Sequence, residues 1–217
     1  MNRREGIVGL LALSWMVFGG VPLLQGLECG PIVGVGVEWI DGSDWEQDLS
    51  SLGLEERTDS DFVYGAFFRI PLTQWGLFPI HVRPEIQVMT PRGKGSSSTA
   101  SLDVKTRVLH FPVMMEAQYS GEYGTVYGFL GPSLNFFLTE IDSRFDSGSS
   151  ITKVSTTPYY GVALGVVAGI GYSIPFNNFS PCMELRYTRT LTPILKDSNY
   201  AFGGFYFLMG ASMPFTL

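Results

Sequence analysis

Four residues at alternating positions, His81, Arg83, Glu85 and Gln87, pose the chemical question of this chain. Side chains alternate across a strand, so these four share one face while Ile80, Val82, Pro84, Ile86 and Val88 share the other. Glu38, Arg69, Glu184 and Arg186 likewise stand opposite rows of Val, Phe, Leu or Met, and Asp103, Lys105 and Arg107 alternate with Leu102, Val104 and Val108. Setting the histidine and glutamine aside, that set holds five cations and four anions, so on a single inner surface it nearly neutralises itself. Two chemistries suit it: a polar path for small solutes, or a plug of ion pairs. Antiparallel neighbours would let Arg83 and Glu85 meet Asp103, Lys105 and Arg107 across the ladder, Glu85 with Arg107 in particular. Catalysis is poorly served. His81 and His110 have no companions at metal-ligand spacing, and there is no nucleophile motif or phosphate-cradling glycine loop. No enzyme activity, metal or cofactor is expected.

The elements that must position these residues are strands. Period-two alternation runs through residues 32–40, 62–70, 78–91, 102–117, 123–138, 160–174, 182–191 and 204–215. Pro112 blurs the phase of the fourth and could mark a bulge. In the sixth, Gly161, Gly165 and Gly169 imitate a helix-packing motif. Period two explains more of that segment, because its even positions are apolar or aromatic and its odd ones nearly all small.

The connections alternate between long and short until the last, as in barrels with turns on one side of a membrane and loops on the other. A soluble eight-stranded barrel would need a polar outer face. The last strand carries no charge on either face, and the sixth has large apolar groups on one side and small ones on the other. Inverting the barrel resolves this: the oily face meets lipid and the polar face fills a lumen. The fold predicted is an all-β, eight-stranded, antiparallel up-and-down transmembrane β-barrel. Trp39, Trp75, Phe78, Tyr160, Tyr172 and Tyr187, near strand ends, are candidates for interfacial girdles.

The chain has 217 residues and a net charge of −6. Arg3 and Arg4, an apolar run and the small residues up to Gly26 have the layout of a secretory leader over residues 1–26; an uncleaved anchor is a second reading, and lipid modification at Cys29 a third that Glu28 counts against. Removing Arg3, Arg4 and Glu5 with the leader leaves a net charge of −7 and no basic footprint for nucleic acid. Cys29 and Cys182 could pair or stay as free thiols. Asp41, Asp44, Glu46, Asp48, Glu55, Glu56, Asp59 and Asp61, against Arg57 alone, make the first long loop strongly acidic. With Trp45, Leu49, Leu52 and Leu54 interleaved, it reads either as a docking surface for a basic host or environmental ligand or as a solvated loop. The lipid-facing wall makes membrane lipid a further expected partner, with the protein itself a monomer.

Val82-Arg83-Pro84-Glu85-Ile86 ending in Gly93-Lys94-Gly95, followed by Val108 to Met115, resembles the paired third and fourth strands of the PorT-like family of small outer-membrane β-barrels. Gly128-Phe129-Leu130-Gly131-Pro132 is similar to that family's next strand, and the aromatic-rich end at Phe215 to its C-terminal insertion signal. The resemblance implies an outer-membrane barrel like the OmpA transmembrane domain, set in outer-membrane lipid by barrel-insertion machinery; with nothing read after the eighth strand, no cell-wall-binding domain is expected. The barrel would act through surface loops at 41–60 and 140–157, or as a narrow channel for small, even apolar, solutes.

Overall fold

The computed structural model describes residues 26–158, 161–194 and 199–215. All of the expected leader but Gly26, and Tyr160, lie outside the described residues. In chain order the elements are β1 (Glu28–Asp41), α1 (Ser43–Ser51), β2 (Glu55–Arg57), β3 (Asp59–Trp75), β4 (Phe78–Met89), β5 (Arg92–Ser96), β6 (Ser101–Lys105), β7 (Val108–Ser120), β8 (Thr125–Phe137), β9 (Ile141–Asp146), β10 (Ile151–Thr156), β11 (Val162–Ser173), β12 (Ser180–Thr190) and β13 (Ala201–Pro214).

Eight of these strands close into an antiparallel barrel of order β1-β13-β12-β11-β8-β7-β4-β3. The other five form a second sheet, β10-β9-β6-β5-β2. Closure leaves the barrel no strand edge, which lipid requires because it offers no partner to a free N–H or C=O. Connections 76–77, 121–124 and 174–179 are short and join strands at one end; the longer ones, after β1, β4, β8 and β12, leave their strands at the other. The alternation therefore runs through the last strand as well, where the sequence suggested that it failed.

Phe62, Leu130, Ile170, Leu185, Phe207 and Met209 point outward and are exposed. An apolar surface of this extent suits hydrocarbon and not water. Aromatic side chains bound it at both ends. Trp39, Tyr187 and Phe205 cluster near the long connections with ring centroids 5.2–6.4 Å apart. At the turn end Phe78 lies 6.0 Å from Tyr119, Phe176 stacks on Phe179 at 5.3 Å, and the Tyr172 hydroxyl donates to the Tyr123 carbonyl at 2.7 Å.

Three local expectations are corrected. β3 continues to Trp75 through a register shift between Pro71 and Thr73, so the wall's irregularity lies there. Pro112 only interrupts pairing, since Val108↔Phe137 and Met115↔Leu130 keep one register. The expected fourth strand, residues 102–117, is two elements: β6 belongs to the outer sheet and β7 to the barrel. Cys29 on β1 and Cys182 on β12 are free; β13 lies between their strands, and the burial pattern puts them on opposite faces of the wall.

If the outward row meets lipid, Ile86→Arg should cost about 2–4 kcal/mol, the price of a cation near the bilayer midplane. Urea unfolding in lipid vesicles measures it; a neutral substitution would contradict the inside-outside assignment.

Candidate functional site

The lumen is filled by charge. Arg83 on β4 lies 2.7 Å through Nε from Glu85, 2.6 Å through Nη1 from Glu184 on β12, and 3.0 Å from Glu116 on β7. Arg186 on β12 reaches back to both oxygens of Glu85 at 2.7 and 3.1 Å and to Glu184 at 2.6 Å. Since three strands separate β4 from β12 on either side of the ring, these strands face each other across the bore. The reciprocal pairs Arg83–Glu184 and Arg186–Glu85 therefore span it. Lower down, Arg69 on β3 bridges Glu116 at 2.6 Å and Glu28 at 2.5 Å, carrying the network to the turn end.

Neutral donors complete the carboxylates. The Tyr127 hydroxyl donates to Glu184 at 2.8 Å, Gln87 to Glu85 at 2.5 Å and Gln118 to Glu116 at 2.7 Å. The guanidinium faces lie against rings, Arg83 at 4.4 Å from the Phe67 centroid and Arg186 at 5.0 Å from that of Phe129. Those rings need room, and β11 supplies it. A Cβ at Gly169 would come within 2.5 Å of the Phe129 ring, and one at Gly171 within 2.3 Å of the Tyr127 ring. The small odd-numbered row of β11 is thus the space into which the rings of β8 turn.

Above this tier Glu38 accepts from the Tyr206 hydroxyl and from the Arg92 backbone N–H at 3.0 Å, and Asp61 accepts from the Thr90 N–H at 2.5 Å. His110 Nδ1 and Asn135 Oδ1 are 2.6 Å apart. A cavity of about 20 Å³ beside His110, Asn135, Thr190 and Tyr206 is large enough for about one water. Among the described residues no group of His, Cys, Asp and Glu is arranged to hold a metal ion.

Of the candidate lumen residues, Glu38, Arg69, Arg83, Glu85, Gln87, Glu184 and Arg186 are buried inside, and His81 is half-buried below them. Asp103, Lys105 and Arg107 are not in the lumen. Asp103 stands opposite Lys94 and Arg144, and Lys105 opposite Arg92 and Asp142, in the strand register of the outer sheet, and Arg107 is exposed. The Glu85–Arg107 pair does not form. Even positions from Leu102 through Val104, Thr106, Val108 and His110 to Glu116 face inward without a break in phase, so the charges at 103, 105 and 107 lie on the outer side of the wall. Above the membrane that side meets water, where charge belongs. Glu28, Glu116, Tyr127, Tyr206 and His110 were missed; carrying the phase of β7 inward from Val108 would have found His110 and Glu116.

The long connections fold into a cap. Ile40, Trp45, Leu49, Leu54, Val104, Ile141, Ile194 and Phe202 form one buried apolar cluster over the barrel mouth. Gly42, with φ of +130° and the Asn199 carbonyl where a Cβ would sit, admits the chain into α1; Gly53, with φ of +65°, ends it. Gly93 and Gly95 let β5 approach Ile40 and Leu49. Trp45, Leu49 and Leu54 are therefore interior, and among the interleaved apolar residues of the expected docking loop only Leu52 is exposed. Much of the acidic charge is matched locally: Asp41 by Arg189 at 2.7 Å, Asp59 by Lys94 at 2.8 Å, Asp44 by the Asn199 N–H at 2.7 Å, and Asp48 by the Tyr200 hydroxyl. Partial burial and the Asp48 carboxylate push the Tyr200 phenol above its ordinary range, so it stays a donor. Glu46, Glu55 and Glu56 remain exposed.

Glu85→Leu strips Arg186 and Arg83 of a shared partner and should destabilise the barrel by about 3–5 kcal/mol, the penalty for breaking a buried pair. Arg107→Gln, on the exposed outer side, should stay within about 0.5 kcal/mol. Denaturant unfolding of both variants in vesicles checks the contrast.

Residues 41–196 match the family model described as outer membrane protein beta-barrel domain. Comparison with curated protein sequences finds no match. Among solved structures the chain is similar to Ail, the attachment invasion locus protein of Yersinia pestis, at 14% identity over 87% of this chain and 99% of that one, with a TM-score of 0.41. It is also similar to neisserial surface protein A, at 13% identity over 88% and 98% with a TM-score of 0.41, and to OprG from Pseudomonas aeruginosa, at 13% identity over 89% and 97% with a TM-score of 0.44. The family model covers most of the chain, and the protein belongs to the outer membrane protein β-barrel domain family, an integral barrel of the outer membrane.

Proposed function

We propose that this barrel is sealed and acts through its folded cap, as a surface-interaction or structural protein of the outer membrane. The observation that carries the reading is the pair of reciprocal ion pairs, Arg83–Glu184 and Arg186–Glu85, reaching across the bore between facing strands. Arg83, Glu85, Glu116, Glu184 and Arg186 are all at most 2% exposed. A water-filled path would need these paired groups to separate. An eight-stranded interior has room for side chains and little else. In the first long connection, Glu46, Glu55 and Glu56 are exposed carboxylates available to a basic partner. Lipid around the wall, insertion machinery at the C-terminal strand and a monomeric state belong to the same proposal.

A second reading, a narrow route for small apolar solutes, is favoured by one feature. The cap holds an apolar cavity of about 230 Å³ whose floor includes Phe202. Phe202 also borders the small cavity at the top of the lumen.

Planar-bilayer recording on the purified full chain separates the two. A sealed barrel is expected to give no stable conductance steps; reproducible steps that change in size in Arg83→Gln would overturn the sealed reading.

A further inference from the structure

The cavity in the cap is a partly open chamber beside the packed cluster of Ile40, Trp45 and Phe202. Protein interiors rarely leave spaces larger than a water, because an unfilled void forfeits the contacts of every atom lining it. This one measures about 230 Å³. An apolar cavity of roughly 150 Å³ already suffices to stay dry and bind benzene. Its walls are Ile40, Trp45, Leu102, Val104, Ile141 and Phe202, drawn from β1, α1, the loop sheet and β13. Water inside would find few partners on such walls.

Four polar residues complete the lining. Asp48 is exposed and Tyr200 half-buried, and both line the cavity, as do Ser143 and Thr156. Asp48 accepts from the Tyr200 hydroxyl through Oδ2. A carboxylate can accept about four hydrogen bonds, so Asp48 keeps capacity for another donor. The site thus pairs an apolar chamber with a charged acceptor at its mouth.

We infer that the cap cavity is a binding site for a small neutral aromatic or alicyclic molecule bearing one hydrogen-bond donor, with its ring against Trp45, Ile141 and Phe202 and its donor on Asp48. A phenol has this chemistry. The inference rests on the reading of the cap as the acting part of the protein, and it is independent of whether the lumen conducts.

The test uses the full chain folded in detergent micelles, with 4-fluorophenol and fluorobenzene as probes followed by fluorine NMR. Saturable broadening of 4-fluorophenol, reversed by excess phenol, is expected. Val104→Phe, which fills the chamber, should weaken binding at least tenfold; Thr156→Phe, on an exposed edge strand, fills it from the side if the first variant does not fold. Asp48→Asn should weaken 4-fluorophenol severalfold more than fluorobenzene. Heat-modifiable gel migration confirms that each variant retains the barrel. Broadening that does not saturate, or is equal in wild type and filled variants, is partition into the micelle and overturns the site. Binding reads the cap and conductance reads the lumen, so the failure of one is distinguishable from the failure of the other.

Discussion

Arg83 is wholly buried in the middle of a membrane barrel, and a bare guanidinium there would cost several kcal/mol even after relaxation. Three carboxylates on three strands, Glu85, Glu116 and Glu184, meet it. Those carboxylates have the same requirement in reverse, which Arg69 and Arg186 satisfy, so the network admits no member without the others. Its consequence is geometric. Replacing all of these groups by apolar ones of the same volume could be neutral in stability, but a one-residue slip of β4 or β12 would turn the charges into lipid. The ion pairs fix which face of each strand points inward and which strands stand opposite.

The rest of the wall follows from that constraint. Bulky rings from β3 and β8 lie on the guanidinium faces, and β11 gives up side-chain volume so that Phe129 and Tyr127 fit. Outside, the same alternation presents Val, Leu, Phe and Met to the hydrocarbon. Beyond the aromatic groups at the long-connection end the ribbon continues without a change of phase, but its chemistry reverses: the inner side becomes the apolar cluster of the cap and the outer side carries Lys94, Asp103, Lys105 and Arg144. Solvent, and not the strand, decides which side is oily.

That reversal explains what was legible in the sequence. Eight strands, their lipid-facing rows and the inward Glu38, Arg69, Arg83, Glu85, Glu184 and Arg186 could be read because period two survives wherever one environment lies on each side. Asp103, Lys105 and Arg107 break the rule that charge marks the interior, because that rule holds only between the two membrane surfaces. Glu116 was lost with the phase of its strand. The partnership of β4 with β12 could not be read at all: it depends on how the ring closes, and the chain order places a hundred residues between Glu85 and Arg186. In the first long connection, Trp45, Leu49 and Leu54 at i, i+4 and i+9 suggested an exposed surface. Only the packing of Ile40, Val104 and Phe202 against them shows a core.

A paired, dry lumen has a direct signature in proton exchange at the arginine side chains. In a barrel labelled with nitrogen-15 arginine and folded in micelles, the Nε–H signals of Arg83 and Arg186, with Arg69 as the member nearest the turn end, should remain visible at alkaline pH and exchange far more slowly than that of exposed Arg107. Exchange of Arg83 and Arg186 at the rate of Arg107 would show water throughout the bore and contradict the sealed, ion-paired interior.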